Sequence, residues 1–141
     1  MTLPSSPSER HVAQAKHNAD LLGESCFPDS CSSRQVPYLD WNVTVAFYVA
    51  LHYVQAYLSL NGFKVRFFSH LDRNDYLKNV VSARDSRVNR ILPDYLVLYE
   101  LSRRYRYEPC QYVFPNQRIA CAYTKFALQT LPKTLGISQS F

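Results

Sequence analysis

The chain has 141 residues, 47% apolar and 19% charged, which suits one domain with a single sizeable core; three glycines and eleven tyrosines exclude a loop-rich or disordered chain. The formal net charge of +5 is unevenly placed: residues 1–40 hold three Lys/Arg against five Asp/Glu, and residues 64–106 hold ten against five. A basic middle fits either a solvated face or one surface that meets an anion such as RNA, a nucleotide or an acidic partner.

A first helix is predicted from "SPSERHVAQAKHNADLLGES". Ser6, Pro7 and Glu9 form a capping box with proline at the first helical position, and Val12, Ala15, Ala19 and Leu22 recur at helical spacing. "CFPDSCSSRQVPY" reads as a loop. Asp40 can cap a second helix of about 20 residues, ended by Asn61-Gly62. Ser69, with Asp72 three residues on, starts a third helix through about Val81, which "ARDSRVNR" either continues or breaks. A fourth helix is expected from near Ile91–Pro93 to about Tyr107, a loop over "EPCQYVFPN", and a fifth helix over about Gln117–Thr130. No stretch alternates with period two. The expectation is an all-α, up-and-down bundle of about five helices around a long buried central helix, with one domain over 1–130 and a loose tail over 131–141.

Cys26, Cys31, Cys110 and Cys121 show no CxxC pair and no Cys/His zinc spacing, and the N-terminal "MTLPSSPSER" is polar. These features predict a reduced, cytoplasmic protein with free thiols, without a structural metal or cofactor.

The apolar stretch "AFYVALHYVQAYL" poses the question of a membrane span. Placed on a helix, Asp40, Thr44, Tyr48, His52, Gln55 and Ser59 are spaced 4, 4, 4, 3 and 4, one polar seam along its whole length. Lipid has no use for such a seam, whereas the centre of a soluble bundle does. On the third helix His70, Arg73 and Arg84 share a face with Leu77, Val80 and Val81. On the fourth, Arg103 and Arg106 share one with Leu92, Tyr95, Tyr99 and Ser102. Three helices thus turn polar groups toward the side that should be buried, where an unpartnered arginine is severely destabilising. Asp40 is the only carboxylate on these faces, so donors outnumber acceptors and an anionic ligand is expected.

"HVAQAKHNADLL", "DWNVTVAFYVALHYVQAYL", "SHLDR" and "YLVLYELSRRYRY", in that order over about residues 10–107, resemble short bacterial HEPN-domain proteins. The resemblance implies a bundle of about five helices that dimerises through a polar cleft. It also implies either a metal-independent endoribonuclease of toxin–antitoxin or anti-phage systems, or a non-catalytic binding module encoded beside a nucleotidyltransferase. The family's Arg–polar–(three to five residues)–His motif is absent from the late helices. Its only fit in spacing is Arg10 to His17, on the face of the first helix opposite Val12, Ala15, Ala19 and Leu22.

Two functional readings and one structural reading follow, the last having the seam fix only helix register and dimer contacts. In the first, His52 or His70 transfers protons and Arg73 acts with them in metal-free RNA cleavage. Arg84, Arg103 and Arg106 bind phosphate, and Tyr48 orients His52. In the second, the same groups bind a nucleotide, RNA or a partner protein without turnover. Convergence of His52, His70 and Arg73 is the geometric discriminator.

Overall fold

The computed structural model describes residues 6–22, 39–107 and 117–137. Among them there are five helical segments and no strand. Helix α1 is Pro7–Leu22 and α2 is Leu39–Leu60. Helix α3 covers residues 70–84, with a π-helical turn at Leu77–Val81. Helix α4 is Ser86–Tyr107, and α5 covers residues 117–135 with a π-helical turn at Phe126–Thr130. The chain is an all-α bundle, as its periodicity predicts. The loops expected over 26–38 and 108–116 and the end of the tail lie outside the described residues.

The helix ends follow local chemistry. The Ser6 hydroxyl accepts the Glu9 amide at 3.2 Å, and the Ser69 hydroxyl accepts that of Asp72 at 3.0 Å, so both expected caps form. Helix α2 stops in a Schellman motif. The Phe63 amide bonds to the Leu58 carbonyl at 3.0 Å and the Gly62 amide to that of Ser59 at 3.5 Å, with Gly62 at φ 74° where only glycine is unstrained. Asp40 lies inside the first turn of α2 rather than ahead of it, and its side chain is outside the described set.

Two boundaries differ from expectation. Helix α4 begins at Ser86, not near Ile91–Pro93. Asp85, extended at φ −135° and ψ 112°, breaks the chain between α3 and α4. Its Oδ1 accepts the amides of Arg87 (2.9 Å) and Val88 (3.0 Å), and its Oδ2 accepts the Tyr57 hydroxyl at 2.6 Å. The carboxylate thus satisfies amides that have no partner within the helix and fixes its start at Ser86, and Pro93 is carried inside α4 on its exposed side. At the other end, the expected loose tail from 131 is helical to Leu135 and closed by Gly136 at φ 71°, with Leu131, Leu135 and Ile137 buried.

The core is organised around α2. Val43, Ala46, Phe47, Val49, Ala50, Val54 and Leu58 are all essentially inaccessible, and each large side chain of that kind contributes roughly 1.5–3 kcal/mol on burial. Helices α1, α4 and α5 all pack against it. Tyr57 meets Asp85 near the start of α4 and Tyr48 meets Arg106 near its end, so α2 and α4 run antiparallel. Trp41–Leu60 is long and apolar enough to cross a membrane, yet 72% of that window is buried inside the bundle, the behaviour of a core helix. Cys121, buried on α5, is disulfide-bonded, which corrects the expectation of a free thiol at this position.

Candidate functional site: a cationic cleft along the α2 seam

Tyr48, His52 and Gln55 project from one seam of α2, and each meets a different helix. Tyr48 and His52 are four residues apart and Gln55 three further on, so their side chains stack along one face while diverging enough to reach three neighbours.

Gln55 is buried and reaches α3. Its amide satisfies both neighbours in the orientation that turns its oxygen to Arg73. Oε1 then accepts from Arg73 Nε (2.7 Å) and Nη2 (3.1 Å), and Nε2 donates to the Val65 carbonyl at 3.1 Å. The remaining Arg73 nitrogen, Nη1, donates to His70 Nδ1 at 3.0 Å, and the guanidinium lies 5.3 Å from the centre of the Phe67 ring. Burial pulls the Arg73 pKa down, with Tyr95, Asp72 and Tyr48 pulling the other way. A guanidinium nonetheless keeps its proton.

A guanidinium only donates, so His70 Nδ1 is the acceptor and neutral His70 carries its hydrogen on Nε2. Burial first, then the charges of Arg73 and Arg106, hold the imidazole below the usual histidine range. Its ring sits against Phe47 (5.4 Å between centroids), Tyr99 (5.8 Å) and Tyr48 (6.2 Å).

Arg106 joins the group from α4. Its Nε donates to the Ser102 carbonyl at 3.3 Å and its Nη1 to the Tyr48 hydroxyl at 3.0 Å, while the Tyr48 and Tyr107 rings lie 5.7 and 5.5 Å from the guanidinium carbon. Among the described residues Lys78 pairs with Asp75, and Arg103 and Arg104 pair with Glu100. Arg73 and Arg106 belong to neither group. Two guanidinium groups therefore flank His70 with neutral hydrogen-bond partners, Asp72 acting on Arg73 through its charge alone. Below them the Tyr95 hydroxyl, wholly buried and electrostatically coupled to Arg73, has no hydrogen-bond partner among the described residues.

His52 turns away from this group. Its Nδ1 lies 2.9 Å from Nδ1 of His11 on α1, with the ring centroids 5.1 Å apart. Burial, then His11 and Arg73, lower its pKa to about 4, and burial and Arg73 lower that of His11. The expected convergence is thus partial. His70, Arg73, Arg106 and Tyr48 come together, whereas His52 is joined to them only electrostatically through Arg73, and the Tyr48 hydroxyl orients Arg106, not His52.

The other expected phosphate ligands fall elsewhere. Arg103 folds back on Glu100, with Nη2 to Oε1 at 2.7 Å and Nε to Oε2 at 3.1 Å, so its charge is compensated. Arg84 is exposed at the end of α3, and Arg10 and His17 are exposed on α1. The residue missed is His11. It stands four positions before buried Ala15, which was the available signal: on a helix, that spacing puts it on the α2-facing side. Among the described residues no three His, Cys, Asp or Glu side chains are grouped as metal ligands.

Fold and site together define an all-α bundle with a partly exposed, cationic, hydrogen-bond-donating cluster on the α2 seam. Compared with protein-family models, with curated proteins and with solved structures, the chain matches none.

Proposed function

We propose that this chain is a HEPN-like domain that acts on RNA, holding an anionic group of it in the cleft formed by Tyr48, His70, Arg73 and Arg106. The observation that carries the reading is the pair of guanidinium groups on either side of His70, neither of them in an ion pair with a carboxylate among the described residues. Half-buried cations held by neutral dipoles attract a counter-anion, and the basic stretch 64–106 steers it. Binding of a labelled single-stranded oligoribonucleotide, weakened by salt and by Arg106→Gln, tests the reading. A protein that binds no RNA at low salt contradicts it.

Metal-independent endoribonuclease activity is the second reading, and the His11–His52 pair favours it. For the 2.9 Å contact one ring donates its Nδ1 hydrogen, which leaves that ring's Nε2 with a lone pair, within the electrostatic reach of Arg73. Such a nitrogen can take the 2′-hydroxyl proton as O2′ attacks phosphorus. The same ring, now an imidazolium, gives that proton to the departing 5′-oxygen, leaving a 2′,3′-cyclic phosphate while the arginines and the neutral His70 Nε2–H donate hydrogen bonds to the phosphorane. EDTA-resistant cleavage lost in His52→Ala supports this chemistry, and intact RNA after prolonged incubation with folded protein refutes it. A homodimer that shares the cleft, a nucleotidyltransferase-type partner and a toxin–antitoxin or anti-phage setting rest on the resemblance over residues 10–107. A cytoplasmic location belongs to the same reading, and the Cys121 disulfide weighs against it, because such bonds persist mainly in oxidising compartments.

A further inference from the structure

The hydrogens that the cleft presents can be assigned one by one. Arg73 and Arg106 are donors only. Because Arg73 donates to His70 Nδ1, the imidazole hydrogen is on Nε2, and because Arg106 donates to the Tyr48 oxygen, the Tyr48 hydroxyl hydrogen is free to turn outward. Neither hydrogen has an acceptor among the described residues. From α2 the groups facing His70 are Tyr48 and Phe47, and from α4 they are Arg106, Tyr99 and buried Tyr95. From α3 they are Arg73 and, coupled to it, Asp72, whose Oδ2 is taken by the Phe68 amide at 3.3 Å. The histidine pair His11–His52 lies on the far side of Arg73 in charge terms, and both rings are held neutral.

The result is a site with two positive charges and two further donors whose hydrogens have no acceptor among the described residues, Asp72 being the carboxylate coupled to it through Arg73. A carboxylate offers one charge on two coplanar oxygens, and an internal phosphodiester one charge on two terminal oxygens. A phosphomonoester offers up to two charges on three oxygens that only accept. We infer that the cleft takes the terminal phosphate of a nucleotide or of an RNA end in preference to an internal diester. The inference rests on the anion-binding reading above and narrows it to one chemical group.

Calorimetric titration of the full chain at pH 7.5 with five compounds tests it: the dinucleotide ApA, which has only an internal diester; the same dinucleotide carrying a 5′-phosphate; that carrying a 3′-phosphate; adenosine; and inorganic phosphate. At least one phosphorylated dinucleotide should bind about tenfold or more tighter than ApA, and adenosine should not bind. The preference should shrink at pH 5.5, because the phosphomonoester takes up a proton with a second pKa of about 6 whereas the diester does not. Protonation of His70 or of the His11–His52 pair acts on both arms and cancels in the ratio. Equal binding of ApA and both phosphorylated forms overturns the terminal-phosphate inference and leaves the RNA reading standing. Inorganic phosphate binding as tightly as the phosphorylated dinucleotide overturns the nucleotide part. No binding by any of the five overturns both.

Discussion

His11 and His52 face each other nitrogen to nitrogen, Nδ1 to Nδ1 at 2.9 Å, across the α1–α2 contact, with the charge of Arg73 alongside. That contact exists only while the accepting ring is unprotonated. Burial, the second ring and Arg73 hold the His52 pKa at about 4, against 6.5 in the unfolded chain. A histidine with a depressed folded pKa contributes stability that is fully present above the unfolded value and is lost as pH falls toward the folded one. The melting temperature should therefore hold steady above pH 7 and fall between about pH 6.5 and 4. His70, also depressed, adds to the same trend. His52→Leu should flatten the slope. Melting curves at pH 7.5, 6 and 5 decide it, and an unchanged melting temperature across them refutes the arrangement.

Arg73 acts on three histidines at once, since its charge lowers His11, His52 and His70. Arg73→Met should raise the titration midpoints of all three together, each still below its ordinary value because burial is the larger cause. The same change strands Gln55 Oε1 and His70 Nδ1 without their donor, at roughly 1–3 kcal/mol of stability. Imidazole titration followed by NMR measures the first effect and denaturant unfolding the second. Midpoints that stay put would show that Arg73 does not sit where its hydrogen bonds place it.

Tyr95→Phe removes a buried hydroxyl that bonds to nothing described. The fold should keep its stability within about 0.5 kcal/mol or gain slightly, against the roughly 1 kcal/mol lost when a working hydrogen bond is deleted. Urea unfolding of the variant measures the difference, and a loss above that level would mean that the hydroxyl has a partner.

Asp85→Ala should cost about 1–2 kcal/mol, because it removes the cap of α4 and leaves the Tyr57 hydroxyl without its acceptor. Burial pushes this carboxyl up, but the bonds from Tyr57, Val88 and Arg87 outweigh it and hold the pKa below the usual aspartate value. Its contribution should persist through neutral pH and disappear only as pH falls below about 4. Comparing wild type and variant by urea unfolding at pH 7 and pH 3 separates the two cases, and equal losses at both would contradict the assignment.

Asp85 also shows where sequence reading ran short. Spacing alone located the helices and the α2 seam, because Thr44, Tyr48, His52, Gln55 and Ser59 recur with helical period inside an apolar run whose other faces had to be buried. The start of α4 was misplaced because Pro93 is the more conspicuous boundary signal, while an aspartate that caps through its own carboxylate looks like any other charge in "ARDSRVNR". The site was half legible. Periodicity put Arg103 and Arg106 on neighbouring faces, but a long side chain chooses its partner by rotamer, and Glu100 one turn back takes Arg103 outward while Tyr48 takes Arg106 inward. His11 escapes the periodicity because the apolar stripe of its helix starts only at Val12.

The central claim is that Arg106 and its neighbours meet an RNA phosphate. Fluorescence anisotropy with a labelled single-stranded oligoribonucleotide, titrated at several salt concentrations, tests it most directly. Arg84→Gln serves as the control, since that exposed arginine lies about 16 Å along α3 from Arg73. Wild type and Arg84→Gln should bind alike, with affinity falling as salt rises. Arg106→Gln, checked as folded by its melting curve, should bind severalfold more weakly and lose about one phosphate contact, near 0.7, from the logarithmic salt slope. Identical affinity and slope for wild type and Arg106→Gln would contradict the account.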